Sequence, residues 1–192
     1  MKPLRTKLAA AALGVLLTGS IFTACKKDDP EPEENDNEVI TTVKLTFTPQ
    51  GGGTALTYQY RDADGPGGAE PTVEEIVLAP SKTYDVTVQL LNETETPAED
   101  ITLEVKEENA AHRFYYEPSS GSNITVSDLN NDDNGVPLGI TSKWTTGAVA
   151  NGTVKVTLRH YPGNPPGKAT ADPVNSTKSS TDAEVTFNTK IK

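Results

Sequence analysis

From Tyr84 to Leu90 the chain alternates without a break, with Tyr84, Val86, Val88 and Leu90 on one side and Asp85, Thr87 and Gln89 on the other. Side chains two residues apart share a face only in an extended strand. The segment is therefore predicted as a strand with one face in a core and one in water. The same period of two returns elsewhere. Val43, Leu45 and Phe47 alternate with Thr42, Lys44 and Thr46, and Leu56, Tyr58 and Tyr60 repeat the pattern after Pro49-Gln50-Gly51-Gly52-Gly53. Two such runs about a glycine-rich turn predict a hairpin.

Further strands are predicted at Val73–Leu78, at the aromatic run His112–Tyr116, and around Ile124 and Val126. Others follow near Leu138 to Trp144, at Val154–His160, and at Val185–Ile191. Turns are predicted at Asn130–Gly135, whose residues tolerate left-handed backbone, and at Ala150-Asn151-Gly152. Residues 162–180 are poor in apolar side chains and rich in Pro, Gly, Ser and Lys, which predicts a long exposed loop. One segment breaks the rhythm. Thr96, Pro97 and Glu99 match a capping box with proline at the first helical position, and Ala98, Ile101 and Val105 recur at helical spacing, so a short helix is predicted over 97–108.

About nine strands with regularly spaced turns and no strand–helix–strand alternation exclude a doubly wound sheet. The fold expected is all-β: an antiparallel, immunoglobulin-like sandwich with one short helix. The alternative is a closed barrel of the lipocalin or avidin type. With a single cysteine in the chain, no internal disulfide can brace the domain, and apolar packing must hold it.

That cysteine organises the N-terminal segment. Lys2, Arg5 and Lys7 precede an apolar run, Leu8 to Ile21, of about 14 residues, and no acidic residue occurs before Asp28. The run is short of the roughly 20 residues a spanning helix needs, so residues 1–24 read as an export signal. Phe22-Thr23-Ala24-Cys25 resembles the bacterial lipobox, and Lys26-Lys27-Asp28-Asp29 is similar to the surface-export signal of Bacteroidota outer-membrane lipoproteins. The resemblance implies signal cleavage before Cys25, acylation of its thiol, and attachment to the outer membrane, on its outer face. Residues 25–38 would then be a tether. Pro30, Pro32 and seven acidic side chains keep it out of any core, and it would reach about 40 Å if extended as polyproline. Residues 39–192 form the single folded domain.

Signal removal takes three basic residues from 17 and leaves 14 against 27 acidic ones, a net charge of about −13. A strongly acidic surface excludes nucleic acid and electrostatic docking on anionic lipid. Within the domain, Asp62 and Asp64 with Gly65 between them and Glu70 offer hard oxygen ligands of the kind Ca²⁺ takes, at a spacing that departs from the EF-hand loop; Asn130–Asn134 is a weaker version. The alternative is an ordinary inter-strand turn. His112 and His160, the only histidines, sit on strands whose parity puts them on apolar faces. Were those strands neighbours, the imidazoles could meet and hold a metal or a haem; otherwise each bonds locally. Tyr115 and Tyr161 stand out of phase with the apolar faces and are expected at the surface, available to stack on a glycan. No nucleophile–histidine, zinc-protease or phosphate-loop motif is present. The expectation is a non-catalytic, lipid-anchored envelope module that binds a protein or glycan partner. The alternative is a carrier of a small ligand, metal or haem, with an internal cavity or a histidine site.

Overall fold

The computed structural model describes residues 39–65 and 67–192. The expected hairpin is present. β1 (Thr42–Pro49) runs antiparallel to β2 (Leu56–Arg61), with Leu45 opposite Tyr58 and Phe47 opposite Leu56. On its other side β1 pairs with β5 (Thr83–Leu91), so that Leu45 meets Val88 and Phe47 meets Val86. β3 (Thr72–Val73) extends the sheet beyond β2. At the far side, β8 (Thr141–Thr146) pairs with β5 and β7 (Ile124–Ser127) with β8, giving a six-stranded sheet ordered β3-β2-β1-β5-β8-β7. The second sheet has four strands: β4 (Ile76–Leu78), β10 (Ser180–Ile191), β9 (Ala150–His160) and β6 (His112–Pro118), in that order. All pairs are antiparallel except β4 with β10.

Both sheets are open, so the molecule is a sandwich and not a closed barrel. Inward-facing side chains of both sheets form one core, including Leu45, Phe47, Val86, Val88, Phe114, Trp144, Val156 and Phe187. Trp144 joins the layers. Its ring meets Phe47 of its own sheet edge-on at 5.2 Å and Tyr116 of the opposite sheet at 5.6 Å, contacts worth about 0.5–1.5 kcal/mol each beyond area burial. With no internal disulfide, this packing is what holds the two sheets.

Several expectations need correction. The run Val73–Leu78 is not one strand. It splits into β3 and β4 on different sheets, so the chain crosses the sandwich between Val73, which is exposed, and Ile76, which is buried. The turn expected at Ala150–Gly152 is the start of β9, and the chain reverses at 147–149 instead. Gly152 is there for close approach: a Cβ on it would lie 2.6 Å from the Cα of Ser122, the strand use of glycine rather than the turn use.

The helix begins five residues late. α1 is Thr102–Glu107, with Ile101 at its N-cap and no side-chain cap. The capping box is unused because the backbones of Asn92 and Glu99 pair with each other at 3.0 Å in both directions, holding residue 99 in an extended bridge. Asp100 Oδ1 accepts the Thr102 N–H instead. The Thr102 hydroxyl oxygen accepts the Leu90 N–H of β5 at 2.8 Å. Long-range hydrogen bonds have overridden the local signal. The helical period survives, since Ile101 and Val105 are buried while Leu103 is 58% exposed.

Residues 162–179 form a loop that is mostly exposed, as expected, but Ser180 already belongs to β10 and the loop is tied down by side chains. Arg113 of β6 donates to the carbonyls of Ala169, Thr170 and Asp172 at 3.1–3.3 Å. Lys168 lies within the fold, its ammonium 2.9 Å from Asp132 with both side chains 1% exposed. It also donates to the carbonyls of Asn109 and His112 at 2.6 and 2.7 Å. Burial works against the charge of each partner. Lys168 is held below its usual pKa, while for Asp132 the lysine and the N–H groups of Val136 and Asn134 outweigh burial and keep the carboxyl low.

Removing one partner of such a pair strands the other charge in a dry site. Lys168→Met is therefore expected to cost about 3–5 kcal/mol in urea unfolding, and Lys168→Met/Asp132→Asn to recover part of that loss. A single-variant loss below about 1 kcal/mol, the scale of an exposed pair, would show that Lys168 does not pin the segment.

Candidate metal centre

The register of β6 against β9 sets His112 directly opposite His160. Both belong to the inward faces of their strands, one step beyond Phe114 and Leu158, where the core ends. The imidazoles stack at 4.9 Å between centroids with 18° between planes. The condition on which the sequence reading of these residues depended is met: the strands are neighbours and the rings meet.

α1 supplies a third group. The connection from Glu108 to β6 closes through Ala111 N–H to the Glu108 carbonyl at 2.8 Å, and Tyr161 N–H donates to Ala111 at 2.7 Å. This brings Glu108 against the histidines. One ligand atom each from Glu108, His112 and His160 lies within 4.8 Å of the other two. Among the described residues this is the one cluster of three or more such side chains. Glu108 and His160 also line a cleft of about 360 Å³ with Asn109, Asp133, Tyr161 and Asn164. His112 lies deeper, buried, with Nδ1 3.2 Å from the Glu108 carbonyl.

Across from it, His112 Nε2 is 3.7 Å from Asp182 Oδ2, the two side chains being 4% and 7% exposed. Burial disfavours the charged form of each group. It pulls His112 down to about 4, helped by the charges of His160 and Lys168 against the pull of the Glu108 carbonyl. It pushes Asp182 up to about 6, against His160 and Arg159. A neutral imidazole is the form that binds metal, and imidazole with carboxylate suits Zn²⁺, Cu²⁺ and their neighbours. The stacked rings set their nitrogens side by side, which fits one ion at the ring edges and not two axial ligands on opposite faces of a haem.

The remaining candidates are dispersed. Asp64 Oδ2 accepts the Ala69 N–H at 2.8 Å, a bond that holds its carboxyl below the usual range and closes the loop. Gly68 allows this: a Cβ there would lie 2.2 Å from Asp64 Oδ2. Glu70 is exposed, and Asp62, Asp64 and Glu70 form no ligand cluster among the described residues. In the Asn130–Asn134 turn, Asp132 faces Lys168. Tyr161, expected at the surface, is fully buried, and Tyr115 is half-buried. The Tyr115 hydroxyl donates to the Asp172 carbonyl at 3.0 Å and meets the Tyr161 hydroxyl at 2.6 Å, while Arg113 sits over the Tyr115 ring at 4.4 Å. These phenols hold the 162–179 segment through their hydroxyls. Cys25 lies outside the described residues.

Sequence reasoning missed Glu108 and Asp182. Nothing in the pattern marks Glu108, which enters through the helix-to-strand corner. Asp182 carries no signal either, since the parity of Val185, Phe187 and Ile191 places it on the outward face and only the register shift between Thr181 and Ala183 turns it in. No protein-family model, no curated protein and no solved structure matches this chain.

A histidine with a pKa near 4 is almost wholly neutral at pH 5.5, whereas one near the ordinary 6.5 is roughly nine-tenths protonated. ¹⁵N-detected titration of the metal-free protein should show His112 neutral at pH 5.5. A midpoint at or above 6 would mean that the ring is solvated and the site open.

Proposed function

We propose that the protein is a lipid-anchored envelope module that binds a divalent first-row transition metal through His112 and His160. The carrying observation is the cross-strand stack of the two histidines with Glu108 within 4.8 Å. Two imidazoles fixed by sheet register, half to fully buried and beside a carboxylate, are a preorganised donor set. Three protein ligands at most leave a coordination position open toward the cleft, the arrangement of exchangeable sites and not of closed structural ones. The role is binding and not turnover. The anchor reading rests on the lipobox-like Phe22-Thr23-Ala24-Cys25 and the Lys26-Lys27-Asp28-Asp29 that follows, with the outer membrane as destination and Cys25 as the acylated residue. No described helix is long and apolar enough to cross a membrane. A metal at the cleft would also be reachable by a partner protein, which joins this reading to that of an accessory subunit.

Binding to the folded state stabilises it by mass action, about 2.7 kcal/mol at a hundredfold excess over Kd. In a domain of this size that is an upward shift in Tm of roughly 5–10 °C. Zn²⁺ or Co²⁺ should produce it in the purified protein, EDTA should reverse it, and His160→Ala should abolish it, while Ca²⁺ should leave Tm unchanged. An unmoved Tm with Zn²⁺, Co²⁺ and Cu²⁺ alike would sink the metal reading and return the search to proteins that co-purify from the envelope.

A further inference from the structure

The buried contact between Lys168 and Asp132 is divided at both of its ends. Asp132 Oδ1 accepts two backbone N–H groups, those of Asn134 and Val136, each at 2.8 Å. Oδ2 accepts no hydrogen bond, although Lys168 Nζ lies only 2.9 Å away. Nζ donates instead to the carbonyls of Asn109 and His112, at 2.6 and 2.7 Å. Both side chains are 1% exposed, so the contact is sealed from solvent.

That division is what bond formation between the two groups requires. An ammonium has three hydrogens. Two are given to carbonyls, which leaves one position of the nitrogen over, and Asp132 is the partner at hand. On the carboxyl, a pair of backbone N–H donors on Oδ1 is the arrangement that stabilises an oxyanion while an acyl carbon is attacked. Oδ2, which no donor holds, is the oxygen free to leave. A carboxyl is a sluggish acyl donor, but reactants fixed in one geometry gain effective concentrations of roughly 10⁵–10⁸ M. A dry site also favours the uncharged forms of both groups over the charged ones.

We propose that Lys168 Nζ and Asp132 Cγ condense to an intramolecular amide, a covalent cross-link between the 162–179 segment and the Asn130–Gly135 turn. One proton first passes from the ammonium to Oδ2, which turns two buried charges into an amine and a carboxylic acid. The Nζ lone pair then attacks Cγ. The N–C bond forms, and the carbonyl electron pair moves onto Oδ1 between its two N–H donors. A second proton moves from nitrogen to Oδ2, the bond from Cγ to Oδ2 breaks, and one water leaves. The amide keeps the third hydrogen for one of the two carbonyls. Nothing is oxidised or reduced, and no co-reactant enters. The ion pair seen in the structure is the state before this step. In a chain whose single cysteine allows no internal disulfide, the amide is a covalent brace of another kind. It uses none of the side chains assigned to the metal, so the two readings stand or fall separately.

Intact-mass spectrometry of the purified protein, incubated at neutral pH and then unfolded in denaturant, should show a species about 18 Da, one water, lighter than the unreacted chain. Proteolysis should then release a branched peptide that carries both Lys168 and Asp132, a readout that needs no variant. Lys168→Arg and Asp132→Ala should each return the full mass and lose the branched peptide. Recovery of Lys168 and Asp132 in separate peptides, with the parent mass undiminished, overturns the proposal and leaves the contact an ion pair. A loss of one water that persists in Lys168→Arg, as a succinimide at Asp64-Gly65 would give, overturns it as well.

Discussion

Strand β9 is the constraint on which the rest depends. It pairs along its whole length with β10 on one side and from Val154 to His160 with β6 on the other, and its Val154, Val156 and Leu158 fill the centre of the core. A one-residue slip against β6 would exchange inward and outward faces on that strand. Phe114 and Tyr116 would leave the aromatic cluster around Trp144, and His112 would leave His160. The register that packs the core is therefore the register that builds the site. The histidines need no machinery of their own to be brought together, because burial of their neighbours does it.

The polar interior around the site depends on the same arrangement. Lys168 donates to the carbonyls of Asn109 and His112, on either side of the turn that presents Glu108, and pairs with Asp132 from the opposite sheet's connecting loop. One buried ammonium thus closes three segments: the 162–179 segment, the α1–β6 corner and the Asn130–Gly135 turn. Its charge also bears on His112 and helps keep that imidazole neutral. The contacts from Arg113 and the Tyr115–Tyr161 pair hold the rest of the segment against β6 and β9. What composition marks as a loose loop is fixed by carbonyls that charged and phenolic side chains can reach. Hydrophobicity does not register such contacts.

That distinction marks how far the sequence could be read. Alternation in β1, β2, β5, β9 and β10 was legible because burial of one face leaves a period of two that no other structure produces. Helical spacing at Ile101 and Val105 was legible for the same reason. The helix start was not, because Thr96 and Glu99 offer a local cap that a bridge between Asn92 and Glu99 overrides. Gly152 could mark a turn or a close approach, and only the position of Ser122 decides. His112 and His160 could be placed on inward faces from parity, but their meeting required strand order, which a sequence without a recognised family does not contain. Asp182 lay furthest from reach. A bulge is a difference in length between two paired strands and cannot be seen from one strand alone.

A metal at this place would not be part of what folds the domain. The apolar core closes at Phe114 and Leu158, and the histidines lie one step past it at the end of the inward face, His160 lining the cleft and His112 buried behind it. In a small domain that needs its ion, the ligands substitute for a core, and chelation unfolds the chain. Here the core is continuous from Val43 to Ile191 without them. The physical expectation is that the sandwich stays folded whether or not the proposed Glu108–His112–His160 site holds an ion.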